Sequence, residues 1–156
     1  MKIKTTAADM IMEIAGLVLM IGAFAGILIY WPSIPDKIPM HYNFAGEIDR
    51  WGGKGELLFL LAIAWGIWLL ITVTEGFPKF WNTGVKVTEE NKEHVYRTLK
   101  YMIKTMKLII VFIFTYLILY TLTGKNQPGY FLLASMGLLF GDMAFWLRKL
   151  NKKICR

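Results

Sequence analysis

The chain is poor in the residues from which most catalytic and metal sites are built. It has a single cysteine, Cys155, and two histidines in 156 residues. Neither an intramolecular disulfide nor a thiolate metal cluster can therefore form within it. The sequence contains no phosphate-binding glycine loop, dinucleotide fingerprint, paired-histidine zinc helix or serine elbow. We do not predict an enzyme, and we expect no cofactor.

Acidic residues are also scarce. Eleven Asp and Glu stand against 18 Lys and Arg, which gives a formal net charge of +7. The cations are divided among loops and helix ends and form no single aromatic-interleaved face, so no nucleic-acid partner is expected. The expected partner of this positive charge is anionic lipid at one surface of a bilayer.

Apolar residues, in contrast, are abundant. A hydrophobic content of 56% and a mean hydropathy of +0.46 are typical of a membrane chain. Four segments can cross a hydrocarbon core of about 30 Å as helices: 10–31, 57–74, 103–123 and 129–147. We predict an all-α integral membrane protein, a single four-helix transmembrane domain over residues 1–156. A structured extracellular loop joins helices 1 and 2, and an amphipathic cytoplasmic segment leads into helix 3.

The first segment has a second interpretation as a signal peptide. Lys2 and Lys4 precede its apolar run, and Ala23 and Ala25 resemble a small-x-small cleavage site. The apolar sequence nevertheless continues to Trp31, which makes it long enough to span, and it ends on aromatic residues typical of a membrane interface. We therefore predict a retained helix.

The distribution of cations predicts the orientation. With four spans, both termini and the connection between helices 2 and 3 lie on one side. All but four of the 18 Lys and Arg residues belong to that side; the exceptions are Lys37, Arg50, Lys54 and Lys125. The positive-inside rule therefore predicts cytoplasmic termini and an outer loop over 32–56.

The outer loop is polar, glycine-rich and stiffened by three prolines, which push the residues before them toward extended geometry. In an extended segment, His41 and Asn43 lie on one side while Tyr42 and Phe44 lie on the other. Gly46 then supplies a turn. The loop is therefore expected to carry a polar face backed by an aromatic one.

Three interpretations of this loop stay open. It can be a lid held by ion pairs and anchored at the interface by Trp31 and Trp51. It can also be a ligand-binding surface, since recognition is concentrated on structured loops carried by rigid elements. The third is a metal site made by His41, Glu47 and Asp49, whose nitrogen and carboxylate ligands suit zinc.

The same loop contains a pattern of spaced residues: Ile34-Pro35, Ile38-Pro39, His41, Asn43, Gly46, Asp49, Trp51 and Lys54. This pattern resembles the signature of a bacterial membrane family, the domain of unknown function 1648, which forms the N-terminal module of SdpI-type immunity proteins. Residues 77–91 also resemble the short members of this family, with Gly84 where proline is expected.

The resemblance implies a binding, immunity or sensing protein of the bacterial plasma membrane. By analogy with SdpI, a secreted peptide or toxin would be met outside and a cytoplasmic regulator inside. The expected ligand-binding residues lie in the outer loop, and Glu47 is added to those that match the signature: His41, Asn43, Gly46, Glu47, Asp49, Trp51 and Lys54.

The segment before helix 3 is expected to be helical and amphipathic. Thr88 can cap it, and apolar residues recur at helical spacing from Val95 to Met106. The helix either lies along the membrane or runs directly into the third span. Docking of a cytoplasmic partner is the alternative role of this segment.

Two small-xxx-small patterns occur in the spans, at Gly22/Gly26 and at Gly137/Gly141. Such patterns let helix backbones approach closely. They predict that helices 1 and 4 pack through these faces, and a homodimer through either face is the alternative.

Four ionisable residues lie about one turn inside the predicted cytoplasmic ends of the helices: Glu13, Lys104, Lys107 and Asp142. A lone charge in lipid costs at least about 2.5–3.5 kcal/mol, so we expect these groups to face the bundle and neutralise one another. Separate snorkelling to headgroups is one alternative. The other is a small transporter, channel or intramembrane enzyme that uses Glu13 and Asp142.

The predicted orientation can be tested with the native Cys155. An impermeant thiol reagent should leave it unlabelled in intact cells and label it after permeabilisation, because the charge distribution places the C-terminus inside. A mass shift of the purified chain measures the labelling. Ready labelling of Cys155 from outside would invert the topology.

Overall fold

The computed structural model describes residues 3–152. Lys2 and Cys155 lie outside this range. The described chain contains four long helices and one pair of strands in the following order: α1 Ala7–Tyr30, β1 Lys37–Tyr42, β2 Ile48–Gly53, α2 Glu56–Glu75, α3 Lys92–Thr121 and α4 Phe131–Lys152. Single 3-10 turns follow α1 at Trp31–Ser33 and α2 at Pro78–Phe80.

All four helices are long and apolar enough to cross a membrane. Each exposes large apolar side chains, among them Ile11 on α1, Phe59 on α2, Phe112 on α3 and Phe140 on α4. Such surfaces are stable in lipid, where the backbone is already satisfied within the helices. The prediction of a multi-pass, mostly helical membrane protein is therefore confirmed.

Local sequence explains where the helices begin and end. Thr6 and Asp9 form a capping box at the start of α1, in which Asp9 N donates to Thr6 Oγ1 at 3.3 Å and Thr6 N donates to Asp9 Oδ2 at 2.8 Å. Pro32 ends α1 in a 3-10 turn. Gly124, with a φ of 66°, lies just beyond the end of α3.

Helix α3 is central to the bundle. Helices α1, α2 and α4 each pack against it, whereas α1 and α4 share no extensive interface. A Cβ atom at Gly22, Gly26, Gly137 or Gly141 would meet no neighbour within 4 Å. The prediction that α1 and α4 pack through these glycine faces is therefore wrong, because α3 occupies the position between them. The homodimer stays a prediction.

The amphipathic segment and the third span form one continuous helix of 30 residues. Its first turns are fixed by burial, since Val95 and Leu99 pack with Leu150 of α4 in a small core. The predicted cap at Thr88 is wrong: Asn91 occupies the N-cap position, and its Oδ1 accepts a hydrogen bond from Thr88 N at 2.8 Å. The helix therefore runs directly into the third span and does not lie along the membrane.

The 32–56 loop contains an antiparallel hairpin, which we define as residues 37–53. Its register pairs Lys37 with Gly53, Pro39 with Trp51 and Tyr42 with Ile48, with irregularities on both sides of His41. The extended geometry of the first arm was expected, but the partner strand was not. The prediction of an all-α fold is therefore corrected: the described residues are mostly helical, with one two-stranded sheet.

The hairpin is bonded to the loop between α3 and α4. Gln127 N donates to Gly46 O at 2.7 Å, and Ile48 N donates to Asn126 Oδ1 at 2.9 Å. Thr121 Oγ1, at the end of α3, donates to Pro39 O at 2.9 Å. These bonds tie both strands to the bundle.

Apolar packing completes this attachment. Ile38 of β1 is buried in one core cluster with Ile27 of α1, Leu57 of α2 and Ile118 of α3. Burying such side chains contributes about 1.5–3 kcal/mol each. The hairpin therefore closes one end of the bundle, which we call the hairpin end.

Gly46→Ala should destabilise this closure. Gly46 has a φ of 87°, and a Cβ there would lie 2.4 Å from Gln127 O, so the variant combines backbone strain with a clash against a docked backbone. We expect a clear fall in the melting temperature in detergent. Gly84→Ala is the matched control, because Gly84 has a φ of 63° but no neighbour within 4 Å. Equal losses in both variants would contradict the docking.

Candidate functional site

The hairpin tip is organised by Asn43. Its Oδ1 accepts hydrogen bonds from Ala45 N and Glu47 N, both at 3.0 Å, and its Nδ2 donates to Glu47 Oε2 at 2.9 Å. Gly46 N also donates to Asn43 O at 2.9 Å. Asn43 therefore holds the turn, in the way that Asn side chains commonly mimic backbone turns.

Two contacts between polar side chains lie on the outer surface of the hairpin. His41 Nδ1 lies 2.6 Å from Asp49 Oδ1, and Arg50 Nη1 lies 2.9 Å from Glu56 Oε2. All four side chains are exposed enough that solvent weakens these pairs, which are worth about 0–1 kcal/mol each. They fix side-chain orientation more than they stabilise the fold.

Lys54 lies at the base of the hairpin. Its Nζ is 3.0 Å from Asp36 Oδ1 and 5.6 Å from the centre of the Trp31 ring. The seven predicted binding residues thus fall into separate groups. Four of them form the pairs Asn43–Glu47 and His41–Asp49, Gly46 shapes the turn, and Trp51 and Lys54 stand apart.

The metal alternative is not assembled. His41 contacts Asp49, but Glu47 is bonded to Asn43. Among residues 3–152, no group of three or more His, Cys, Asp and Glu side chains could hold a metal ion. A zinc site that used Glu47 would require its carboxylate to break the hydrogen bond that Asn43 Nδ2 donates to it.

Two aromatic side chains stand out on the hairpin surface. Phe44, beside the turn, is 71% exposed, and Trp51 of β2 is 53% exposed. Both are carried on a backbone that is fixed by the turn and by the α3–α4 loop. The hairpin therefore presents aromatic groups among oriented polar pairs.

A second polar region lies at the opposite end of the bundle. Lys104 Nζ and Lys107 Nζ each lie 2.8 Å from Glu13 Oε2 of α1. Each also lies 2.8 Å from a carboxylate oxygen of Glu75 on α2. We call these four residues the charged tetrad.

The tetrad is buried between α1, α2 and α3. The side chain of Lys107 is 4% exposed and that of Glu75 is 10% exposed. Lys107 Nζ also donates to Thr72 Oγ1 at 3.1 Å and lies 5.1 Å from the centre of the Trp68 ring. Each buried charge therefore has opposite charges within contact distance, as burial in a low-dielectric site requires.

The basic residues of α3 continue this arrangement by one more turn. Arg97 and Lys100 both lie 3.2 Å from Asp9 Oδ2, and Asp9 is almost fully buried. The spacing of Arg97, Lys100, Lys104 and Lys107 places all four on one face of a helix. That face contacts α1 and, next to α1, also α2.

Asp142 does not join the tetrad. Its Oδ2 accepts a hydrogen bond from Thr105 Oγ1 at 2.8 Å, and its Oδ1 accepts one from Trp146 Nε1 at 3.1 Å. The expectation that all four predicted charges neutralise one another is therefore corrected. Glu13, Lys104 and Lys107 meet as predicted, while Asp142 lies on the side of α3 that faces α4.

Glu75 takes the place that was expected for Asp142. It was missed because the predicted second span ended at residue 74, so Glu75 counted as part of a loop. Its position at the same end of the bundle as Glu13 was the available signal. Asp9 was missed for the same reason, since the predicted first span began at residue 10.

The chain is a multi-pass membrane protein that combines a bonded hairpin with a buried charged tetrad. Residues 18–65, which include the hairpin, match the family model described as Domain of unknown function (DUF1648). This segment carries that domain, and the recognition of the family from the loop pattern is confirmed. No curated protein and no solved structure is significantly similar to the chain.

The tetrad can be tested with two double-mutant cycles. Glu13→Gln and Lys107→Met should each strongly destabilise the protein in detergent, because each leaves the tetrad, which has two acids and two lysines, with one unbalanced charge in a largely buried site. The double variant should lose less than the sum, with a coupling of about 0.5–3 kcal/mol.

The cycle of Asp142→Asn with Lys107→Met is the matched control. It should be additive, since Asp142 bonds to Thr105 and Trp146. Thermal unfolding measures both cycles. Additivity for Glu13, or coupling for Asp142, would contradict the arrangement described.

Proposed function

We propose that this chain is a membrane binding protein that recognises a ligand with the exposed surface of the hairpin. Immunity or sensing is the proposed consequence of that recognition. The observation that supports it best is the exposure of Phe44 and Trp51 on a backbone held by the α3–α4 loop.

Exposed aromatic side chains are unusually effective in binding. Trp and Tyr dominate the energetic centres of interfaces, and aromatic groups bury a large area with few rotatable bonds. A fixed backbone also lowers the ordering cost of association. The hairpin has both properties, and the oriented pairs His41–Asp49 and Asn43–Glu47 supply polar contacts beside them.

The proposed ligand is a small secreted peptide, met on the outer side of the membrane. This orientation rests on the positive-inside rule. On the inner side, we propose that the segment over residues 76–91 and the first turns of α3 contact a cytoplasmic regulator. The small core that joins Val95, Leu99 and Leu150 would then pass a change at α3 to α4.

Transport is the second candidate, and the observation that favours it is the presence of ionisable groups within the spans. Glu13 and Asp142 lie on different sides of α3 and have different partners. A pathway that used both acids would need these bonds to rearrange. Flux into liposomes that is lost in Glu13→Gln would favour this candidate over recognition.

Recognition is tested by protection of a sensitive host strain. The probe is the low-molecular-mass peptide fraction of spent medium from the source organism. Cells that express the wild type should survive it, and Trp51→Ala and Asp49→Ala should reduce protection. A loss of about 2 kcal/mol at an interface centre corresponds to roughly 30-fold weaker binding.

Lys37→Ala is the matched control, because Lys37 is an exposed residue at the start of the same hairpin. Immunoblots of membranes must show equal amounts of each variant. No protection by the wild type would reject immunity, and full protection by both hairpin variants would reject the hairpin surface.

A further inference from the structure

A cavity of about 280 Å³ lies beneath β1, at the hairpin end of the bundle. Its apolar wall comes from the three helices nearest to it and includes Leu60 of α2, Leu117 of α3 and Leu132 of α4. Tyr42 of β1 and Gln127 of the α3–α4 loop contribute polar atoms to it. The hairpin thus borders a partly open cavity as well as presenting an outer surface.

Two polar groups of this cavity are buried without a hydrogen-bond partner among the described residues. They are Nε2 of Gln127 and the hydroxyl of Tyr42. Gln127 as a residue is only 8% exposed. Such groups are uncommon, because a buried unsatisfied donor costs about 1–3 kcal/mol. Burial raises the pKa of the Tyr42 hydroxyl above its ordinary value, although the neighbouring Thr121 hydroxyl acts to lower it.

The position of Gln127 is fixed independently of its amide. Its backbone nitrogen donates to Gly46 O at 2.7 Å, which holds the residue against the hairpin. Thr121 also lines the cavity, but its hydroxyl is already used by Pro39 O. His41 and Asn43 line the cavity too, but they are held by Asp49 and Glu47. Among the described residues of the lining, the buried donors without a partner are therefore those of Gln127 and Tyr42, and they call for an acceptor oxygen.

The cavity wall contains no Asp, Glu, Lys or Arg side chain. A charged group would be poorly compensated there, whereas a hydrocarbon chain matches the leucine wall. The volume lies just below the usual range of about 300–1,000 Å³ for small-molecule pockets. One extended chain fits such a space better than a folded peptide.

The depth of the cavity agrees with this chemistry. Leu60 lies four residues inside the start of α2 at Glu56, which is about one helical turn. Leu132 is the second residue of α4. In a helix that spans a bilayer, the first turn lies where headgroups and ester carbonyls give way to acyl chains, so we place the cavity at that level.

We propose that this cavity binds one acyl chain of a bilayer phospholipid, whose ester carbonyl accepts hydrogen bonds from Gln127 and Tyr42. The leucine wall holds the first part of the chain, and the headgroup stays at the membrane surface. His41 and Asn43 of the hairpin also line the cavity, but the ligand proposed here is a membrane lipid, so the inference does not depend on the proposed recognition of a peptide.

The ligand chemistry can be tested on the wild-type protein. Native mass spectrometry in mild detergent should detect one retained palmitoyl-oleoyl phosphatidylglycerol. Methyl palmitate, which keeps the ester carbonyl, should displace it, and hexadecane should be a weaker competitor by about tenfold. Equal displacement by hexadecane and methyl palmitate would overturn the proposal that an ester carbonyl accepts hydrogen bonds in the cavity.

The site itself is tested with matched variants on α4. Leu132→Trp places a large ring in the cavity and should abolish retention, whereas Leu133→Trp adds the same ring at the adjacent position, which does not line the cavity, and should retain lipid as the wild type does. Retention by Leu132→Trp at the wild-type level would overturn the proposal.

Gln127→Leu separates binding from folding. It keeps the backbone bond to Gly46 and removes a donor that lacks a partner, so the lipid-free protein should melt at the same temperature or higher. Lipid retention should nevertheless fall about tenfold. Tyr42→Phe should have the same two effects, an unchanged or higher melting temperature and weaker lipid retention. Unchanged retention in both variants would overturn the role of the two donors.

Discussion

The arrangement of this molecule depends on the need to neutralise four cations on one face of α3. In a low-dielectric environment, charges of this kind are stable only beside opposite charges. Asp9 meets Arg97 and Lys100, while Glu13 and Glu75 meet the two deeper lysines. This requirement fixes the rotation of α3 about its axis and places α1 and α2 on its basic face. Helix α4 packs against the other side of α3.

The two ends of the bundle are held by different chemistry. At the end with the tetrad, charged groups are buried and paired between helices. At the hairpin end, neutral hydrogen bonds from Thr121, Asn126 and Gln127 hold the strands, and the charged pairs lie on the surface. Surface pairs contribute little stability. The hairpin is therefore stabilised mainly by backbone bonding and by burial of Ile38.

Much of this fold could be predicted from the sequence, because spans and depth are one-dimensional properties. Four apolar segments, and the shared level of Glu13, Lys104 and Lys107, follow from counting residues along helices. Which side of a helix faces which neighbour does not follow from depth. For that reason Asp142 was assigned to the tetrad and Glu75 was not. The prediction that the glycine faces pack together was wrong for a similar reason, since a small-xxx-small pattern allows close packing without requiring it.

The hairpin shows a different limit. The prolines predicted an extended arm, but strand pairing with residues 48–53 and docking on Gln127 are contacts that no local pattern encodes. The matching family segment ends at residue 65, yet the groups that hold its hairpin come from α3 and the loop beyond it. Asn43 and Gly46 of the family pattern form the turn itself. These residues of the pattern therefore specify the shape of the hairpin. In our two proposals, the choice of ligand falls to groups that the fold leaves free, Phe44 and Trp51 outside and the two unpartnered donors beneath.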